Sequence, residues 1–152
     1  MVIDRDIVES KLRFLREYLT DLEEYGSVSL SDYQTKKKDQ RFVERTLHLS
    51  CECCLDIAAH IVSRKGLREP KDNKDVFFVL YENGIISEGV YRAMLKMAGF
   101  RNIIVHDYAR VEAEIVIGIL KRDLGDFRQF AQEIFRYMDT QLEENNTHGR
   151  PT

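Results

Sequence analysis

Apolar side chains recur along this chain at steps of three and four residues, the spacing of one face of an α-helix. The clearest stripe lies near the N-terminus and consists of Val8, Leu12, Leu15, Leu19 and Leu22. The alternation that is typical of β-strands is nearly absent. We therefore predict an all-α fold, an up-and-down bundle of about five to six helices with short connections.

Capping residues indicate where the second helix begins and ends. Ser29 and Ser31 are candidate N-caps, and no proline or glycine interrupts the chain from there to Ser63. Gly66 is suited to close the helix in a left-handed conformation. This pattern predicts one long second helix.

The remaining helices are predicted from the same signals. Asn73 or Asp75 can cap a short third helix, and Ser87 can cap a fourth that continues beyond residue 100. A fifth helix is predicted over residues 112–121 and a sixth over 125–142. We expect one helical domain over residues 1–143 and a flexible C-terminal tail over 144–152.

Composition limits the classes of function. The 152 residues are 43% hydrophobic and 32% charged with a net charge of −3, so an RNA or DNA site would have to be a local basic patch. The N-terminus lacks an apolar segment of signal-peptide length, and nowhere do 18 uncharged apolar residues run together. We expect a cytoplasmic protein with no membrane partner.

Three cysteines, Cys51, Cys53 and Cys54, lie within four residues on the predicted second helix. A zinc site that includes His48 is conceivable, but a helix would spread these side chains apart, and buried or half-buried free thiols are favoured. His48 otherwise has no evident partner. His60 lies beside an apolar face and is predicted to be a structural histidine.

The segment AGFRNIIVHDYARV, residues 98–111, sets polar side chains close to an apolar centre. Arg101 and His106 are five residues apart, about 140° around a helix axis, so one helix cannot easily close both on a small ligand. Two arrangements would bring them together. Either a second copy of the helix faces the first across a two-fold axis, or the helix breaks near His106.

These residue types suit metal-independent cleavage of a phosphodiester bond. The Arg101 guanidinium can bind phosphate oxygens, and His106 can exchange protons with a ribose 2′-OH or the leaving oxygen. Asn102 can orient the histidine or bind the phosphate. The alternative is a solvated arginine and histidine near a helix end.

A basic run, TKKKDQR at residues 35–41, lies near the start of the long second helix. Such a run is usually a solvated face. The alternative is that it guides RNA phosphates toward a cleft that holds Arg101 and His106.

Longer blocks of the chain resemble the HepT-like branch of the HEPN superfamily over about residues 5–140. The blocks are ERTLHLSCECCLDIAAHIVSRKGLREP, LYENGIISEGVYRAMLKMAGFRN and VHDY, in that order. The HEPN signature of arginine, a polar residue and a later histidine matches Arg101, Asn102 and His106. Tyr108 completes the Arg-x4-His-x-Tyr pattern of the branch.

The resemblance implies a HEPN-type helical homodimer that acts as an endoribonuclease toxin of a type VII-like toxin–antitoxin system. Arg101, His106 and Asn102 would be the catalytic residues in a cleft shared by the two copies, with RNA as substrate and neither metal nor cofactor required. The branch also implies an MntA-like minimal nucleotidyltransferase antitoxin that transfers AMP to Tyr108. The alternatives are a non-catalytic helical adaptor of a nucleotidyltransferase and an antitoxin role for this chain.

Overall fold

The computed structural model describes residues 3–106 and 111–148, and it is all-helical over these ranges. The α-helices are α1 (Arg5–Glu23), α2 (Leu30–Thr35), α3 (Lys37–Arg64), α4 (Asn73–Glu82), α5 (Glu88–His106), α6 (Ala113–Gly118) and α7 (Leu124–His148). A π-helical turn, Ile119–Asp123, joins α6 to α7 without a break, so the described chain forms six helical rods. The predicted all-α bundle is confirmed.

Helix α3 lies at the centre of the bundle, where it contacts α1, α4, α5 and α7. Its buried side chains include Val43, Leu47, Ala58 and Ile61, and the α1 stripe packs against them. The Phe77 ring on α4 and the Phe130 ring on α7 meet at nearly a right angle, with the ring centroids 5.8 Å apart. One continuous apolar core therefore joins the helices.

Several predicted helix ends are confirmed. The Ser29 hydroxyl accepts a hydrogen bond from the N–H of Asp32 at 3.1 Å, and the Ser87 hydroxyl accepts one from the N–H of Val90 at 3.3 Å. Gly66 has a φ of 63° and Gly84 a φ of 72°, the left-handed conformation that glycine adopts without strain. The predicted third helix is α4 in the structure. Its N-cap is the Asp72 carboxylate rather than Asn73 or Asp75.

The prediction of one continuous helix from Ser29 to Ser63 is wrong, because the helix is interrupted at Lys36. Lys36 leaves the helical region with a φ of −112° and a ψ of 88°. The carbonyl of Tyr33 accepts hydrogen bonds there from the Lys36 N–H and from the Gln40 side chain. The break lets α2 fold onto the bundle and bury Tyr33, and this packing outweighs local helix propensity.

The predicted loop between the fifth and sixth helices is also absent, and the π-helical turn takes its place. A π turn adds one residue to the helical repeat and so shifts the face that the next residues present. Leu120 and Leu124, on either side of the end of this turn, are both buried. A Cβ atom at position 118 would lie only 2.6 Å from the Arg122 guanidinium, which is close enough to clash with it.

Helix α7 continues to His148, into the segment predicted to be a tail. The domain boundary after residue 143 remains a prediction. In the described part of the chain, every helix is too short or too polar to cross a membrane.

Candidate active site

Helix α5 positions the polar cluster that the sequence singles out. Its apolar stripe of Val90, Met94, Met97 and Phe100 is buried in the core. Arg101 follows directly, at the edge of this stripe, so that its side chain lies between the core and solvent and is 21% exposed. Packing of α5 therefore places the guanidinium beside α3.

The guanidinium of Arg101 is held by a carboxylate from α3. Its Nε donates a hydrogen bond to Oε1 of Glu52 at 2.5 Å, and its Nη1 donates a longer one to Oδ1 of Asn102 at 3.4 Å. The first is a charge-assisted hydrogen bond between half-buried groups, which is stronger than one between neutral groups. Arg101 and Asn102 are thus in contact, and Glu52 joins them.

Glu52 also connects Arg101 to two further side chains on α3. Nε2 of His48 lies 3.3 Å from the same Oε1 atom, and Nη1 of Arg45 lies 3.3 Å from Nδ1 of His48. Because a guanidinium can only donate, Nδ1 must accept, which fits the tautomer with its proton on Nε2. His48 therefore has two partners, contrary to the prediction that it has none.

The arrangement leaves Arg101 with capacity for an anion. A guanidinium has five N–H groups. Within the described ranges, one of them binds Glu52 and another binds Asn102. The others can bind phosphate oxygens, whose negative charge increases in the transition state of phosphodiester cleavage.

The other two predicted site residues are described only in part or not at all. The backbone of α5 is helical through His106, so the helix does not break before this residue. The position of the His106 ring and the whole of Tyr108 lie outside the described residues. On the α5 backbone, Arg101 and His106 are separated by about 140° around the axis.

The cysteine cluster is a core feature. Cys51, Cys53 and Cys54 are free and buried, as predicted. Burial raises the pKa of Cys51 to about 12 and that of Cys53 to about 11. Among the residues that the structure describes, no three His, Cys, Asp or Glu side chains are grouped so that they could hold a metal ion.

His60 has the structural role that was predicted for it. Its Nε2 accepts a hydrogen bond from the N–H of Asp4 at 3.1 Å, just before α1 begins. Burial, followed by the charge of Arg64, lowers the pKa of His60. The ring therefore fastens the N-terminus to α3 in its neutral form.

Sequence reasoning missed Glu52 and His48. The helical spacing of Arg45, His48 and Glu52 does indicate that they share one face of α3. What the sequence does not show is that α5 crosses this face with Arg101 at the crossing.

Comparison with known proteins identifies the family of the chain. The family model described as "Ribonuclease HepT-like" matches residues 15–134. The chain is 32% identical over 130 residues to a Shewanella oneidensis protein named "mRNA nuclease HepT", covering 85% of this chain and 96% of that protein. It is 27% identical over 144 residues to an Aphanizomenon flos-aquae protein named "tRNA nuclease HepT", covering 95% and 98%.

A solved structure shares the fold. It is described as a tri-AMPylated Shewanella oneidensis HEPN toxin in complex with MNT antitoxin. It superimposes with a TM-score of 0.80 at 32% identity and covers 87% of this chain and 98% of its own. These matches cover most of this chain and nearly the whole length of each relative. We conclude that the chain belongs to the HepT-like ribonuclease family.

Proposed function

We propose that this protein is an endoribonuclease toxin that cleaves RNA in a cleft between two copies of the chain. Arg101 binds the scissile phosphate, His106 transfers protons and Asn102 assists. The observation that carries the proposal is the half-buried Arg101 guanidinium, held by Glu52 and Asn102 with donors to spare, on a helix that continues to His106. The nuclease names of the two relatives support the same activity.

The need for two copies follows from the backbone of α5. Because α5 is helical through His106, Arg101 and His106 leave its axis in directions about 140° apart. A two-fold axis beside α5 brings the arginine of one copy toward the histidine of the other. The cleft then holds two guanidinium groups and two imidazoles.

The chemistry needs only these side chains and the RNA itself. One His106 imidazole takes the proton of the ribose 2′-OH, and the 2′ oxygen attacks phosphorus. The bond to the 5′ oxygen breaks, and that oxygen receives the proton from the same imidazole, which is protonated after the first step. The products are a 2′,3′-cyclic phosphate and a free 5′-OH. Arg101 stabilises the extra negative charge on the phosphate oxygens during the attack.

Inhibition by AMP transfer to Tyr108 is the second part of the proposal. The solved relative is described as AMPylated and in complex with an MNT antitoxin. Tyr108 is two residues from His106 and seven from Arg101. A nucleotide attached there adds a phosphate and a bulky base close to the motif, where it can occupy the phosphate site of Arg101. A nucleotidyltransferase of the MntA type is the proposed partner.

Cleavage of RNA in the presence of EDTA tests the activity. We expect the purified wild-type protein to cut single-stranded RNA and leave cyclic phosphate ends, and its expression to arrest growth. His106→Ala should lose both effects while keeping the helical circular dichroism spectrum. Full activity of His106→Ala would refute the assignment, as would a wild-type protein that binds a nucleotidyltransferase and cuts no RNA.

Intact mass after co-expression with a nucleotidyltransferase encoded by a neighbouring gene tests the inhibition. We expect mass increases in steps of one AMP, and none in Tyr108→Phe. Tyr81→Phe is the control, because Tyr81 stacks on Tyr91 with ring centroids 5.2 Å apart, on the α4–α5 surface. Increases that persist in Tyr108→Phe would place the modification elsewhere.

A further inference from the structure

Helix α3 carries a row of polar side chains, four of them lysine or arginine, that runs from the N-terminus of the helix to Glu52, the partner of Arg101 on α5. At 100° per residue, six side chains fall within about 100° of the helix circumference. They are Lys37, Lys38, Arg41, Arg45, His48 and Glu52. We call this row the α3 track. Its one acidic member, Glu52, is bound to Arg101.

The cations of the α3 track are available to a ligand. Lys37, Lys38, Arg41 and Arg45 are all exposed. Over the described ranges, the side chains of the first three form no hydrogen bond and no ion pair. Within the same ranges, Arg45 contacts Nδ1 of His48 and forms no ion pair. Glu44, at the edge of the track, is partly buried. The track therefore concentrates positive charge locally on a chain whose net charge is −3.

The track has a defined end at the candidate active site. His48 and Glu52 form its last turn, and Arg101 contacts Glu52 directly. One turn further along the same face, Leu55 is buried beneath neighbouring helices. The α3 track therefore ends where α5 crosses α3, and its last member contacts the Arg101 guanidinium.

We infer that the α3 track binds the sugar-phosphate backbone of single-stranded RNA and delivers it to Arg101. This inference rests on the proposed ribonuclease function and names the substrate contacts outside the scissile linkage. Lys37 and Glu52 are separated by about 22 Å along the helix. That length matches roughly six stacked nucleotides. Because contacts from lysine and arginine to phosphates carry no sequence information, the track contributes affinity without selecting a sequence.

RNA binding in an inactive background tests the track. We would measure the affinity of His106→Ala for a single-stranded RNA of about 12 nucleotides across a salt series, with and without Lys37→Gln/Arg41→Gln. Loss of two phosphate contacts should weaken binding about tenfold at low salt and reduce the salt slope by about 1.4. Arg41→Lys should keep most of the affinity, because it keeps the charge.

The matched control removes two exposed charges from another surface. Arg13 and Arg16 on α1 are exposed and line a groove of about 870 Å³ between α1 and α7. Arg13→Gln/Arg16→Gln changes the net charge equally and should bind RNA as the parent does. Equal losses of RNA affinity in the two double variants would show that binding depends on general electrostatic attraction. That result would overturn the proposed role of the α3 track. An unchanged affinity in the α3 variant would also overturn it.

Substrate length separates the track from the active site. With His106 intact, Lys37→Gln/Arg41→Gln should cleave a diribonucleotide at the wild-type rate and raise KM about tenfold for the longer RNA. If the wild type cuts neither substrate, the proposed function fails. The RNA-binding assay then still tests whether the α3 track binds RNA. Unchanged RNA affinity together with lost binding of the nucleotidyltransferase would assign this face to protein contact and overturn the inference.

Discussion

Glu52 of α3 accepts a hydrogen bond from the Nε atom of Arg101 on α5 at 2.5 Å, and this contact connects the centre of the bundle to the candidate active site. The carboxylate fixes the plane of the guanidinium before any substrate binds. A preoriented cation needs little reorganisation when charge develops on a phosphate. Glu52 is therefore a positioning residue, which acts through Arg101.

Replacement of Glu52 by glutamine should lower kcat for RNA cleavage by about tenfold, with a smaller change in KM, because Arg101 loses its orientation more than its charge. Steady-state kinetics on a short RNA measures the two constants separately. Glu88→Gln is the control, since Glu88 binds Arg92 on an exposed surface of α5, the helix that carries Arg101. A higher kcat in Glu52→Gln would instead show that the carboxylate restrains the arginine.

The three cysteines should be inert in the folded protein. Burial raises the pKa of Cys51 to about 12, that of Cys53 to about 11, and that of Cys54 well above its usual value, so few thiolates exist at pH 8. Alkylation with iodoacetamide followed by intact mass should show no modification in buffer and three additions in denaturant. Rapid labelling of the native protein would contradict the buried positions.

Stability should fall when the pH is lowered through the range in which histidine titrates. Burial and then Arg64 lower the pKa of His60, so the unfolded chain binds this proton more tightly than the folded chain does. The native state is consequently disfavoured as the pH falls below about 6.5. Urea unfolding at pH 7.5 and pH 5.5 measures the difference.

His60→Gln separates this histidine from the other titrating groups. Glutamine can still accept the hydrogen bond from the Asp4 N–H through its side-chain oxygen, but it does not titrate. We expect the variant to lose less stability between the two pH values than the wild type does. An identical loss in both proteins would assign the pH dependence to other residues.

Features set by local sequence could be predicted, and features set by helix–helix packing could not. The apolar stripe of α1 and the caps Ser29 and Ser87 depend on residues within one turn, and the structure contains them. The break at Lys36 depends on burying Tyr33 against other helices, and no glycine or proline marks it.

The same distinction applies to the candidate site. The motif spacing in the sequence pointed to Arg101 and Asn102, which share a contact. Glu52 lies 49 positions away in the chain, and it becomes part of the site only because α5 crosses α3 there. Without a partner helix, the (i, i+4) pair of His48 and Glu52 reads as an ordinary exposed contact.

The most direct test of the central claim is complementation between two inactive variants. Arg101→Ala and His106→Ala would be purified, mixed in equal amounts, unfolded and refolded together, and assayed for RNA cleavage. If each site takes its arginine from one copy and its histidine from the other, mixed dimers have one complete site of two. The mixture should then recover about one quarter of the wild-type rate, although each variant alone is inactive. A refolded mixture that contains mixed dimers and still cuts no RNA would contradict the shared cleft.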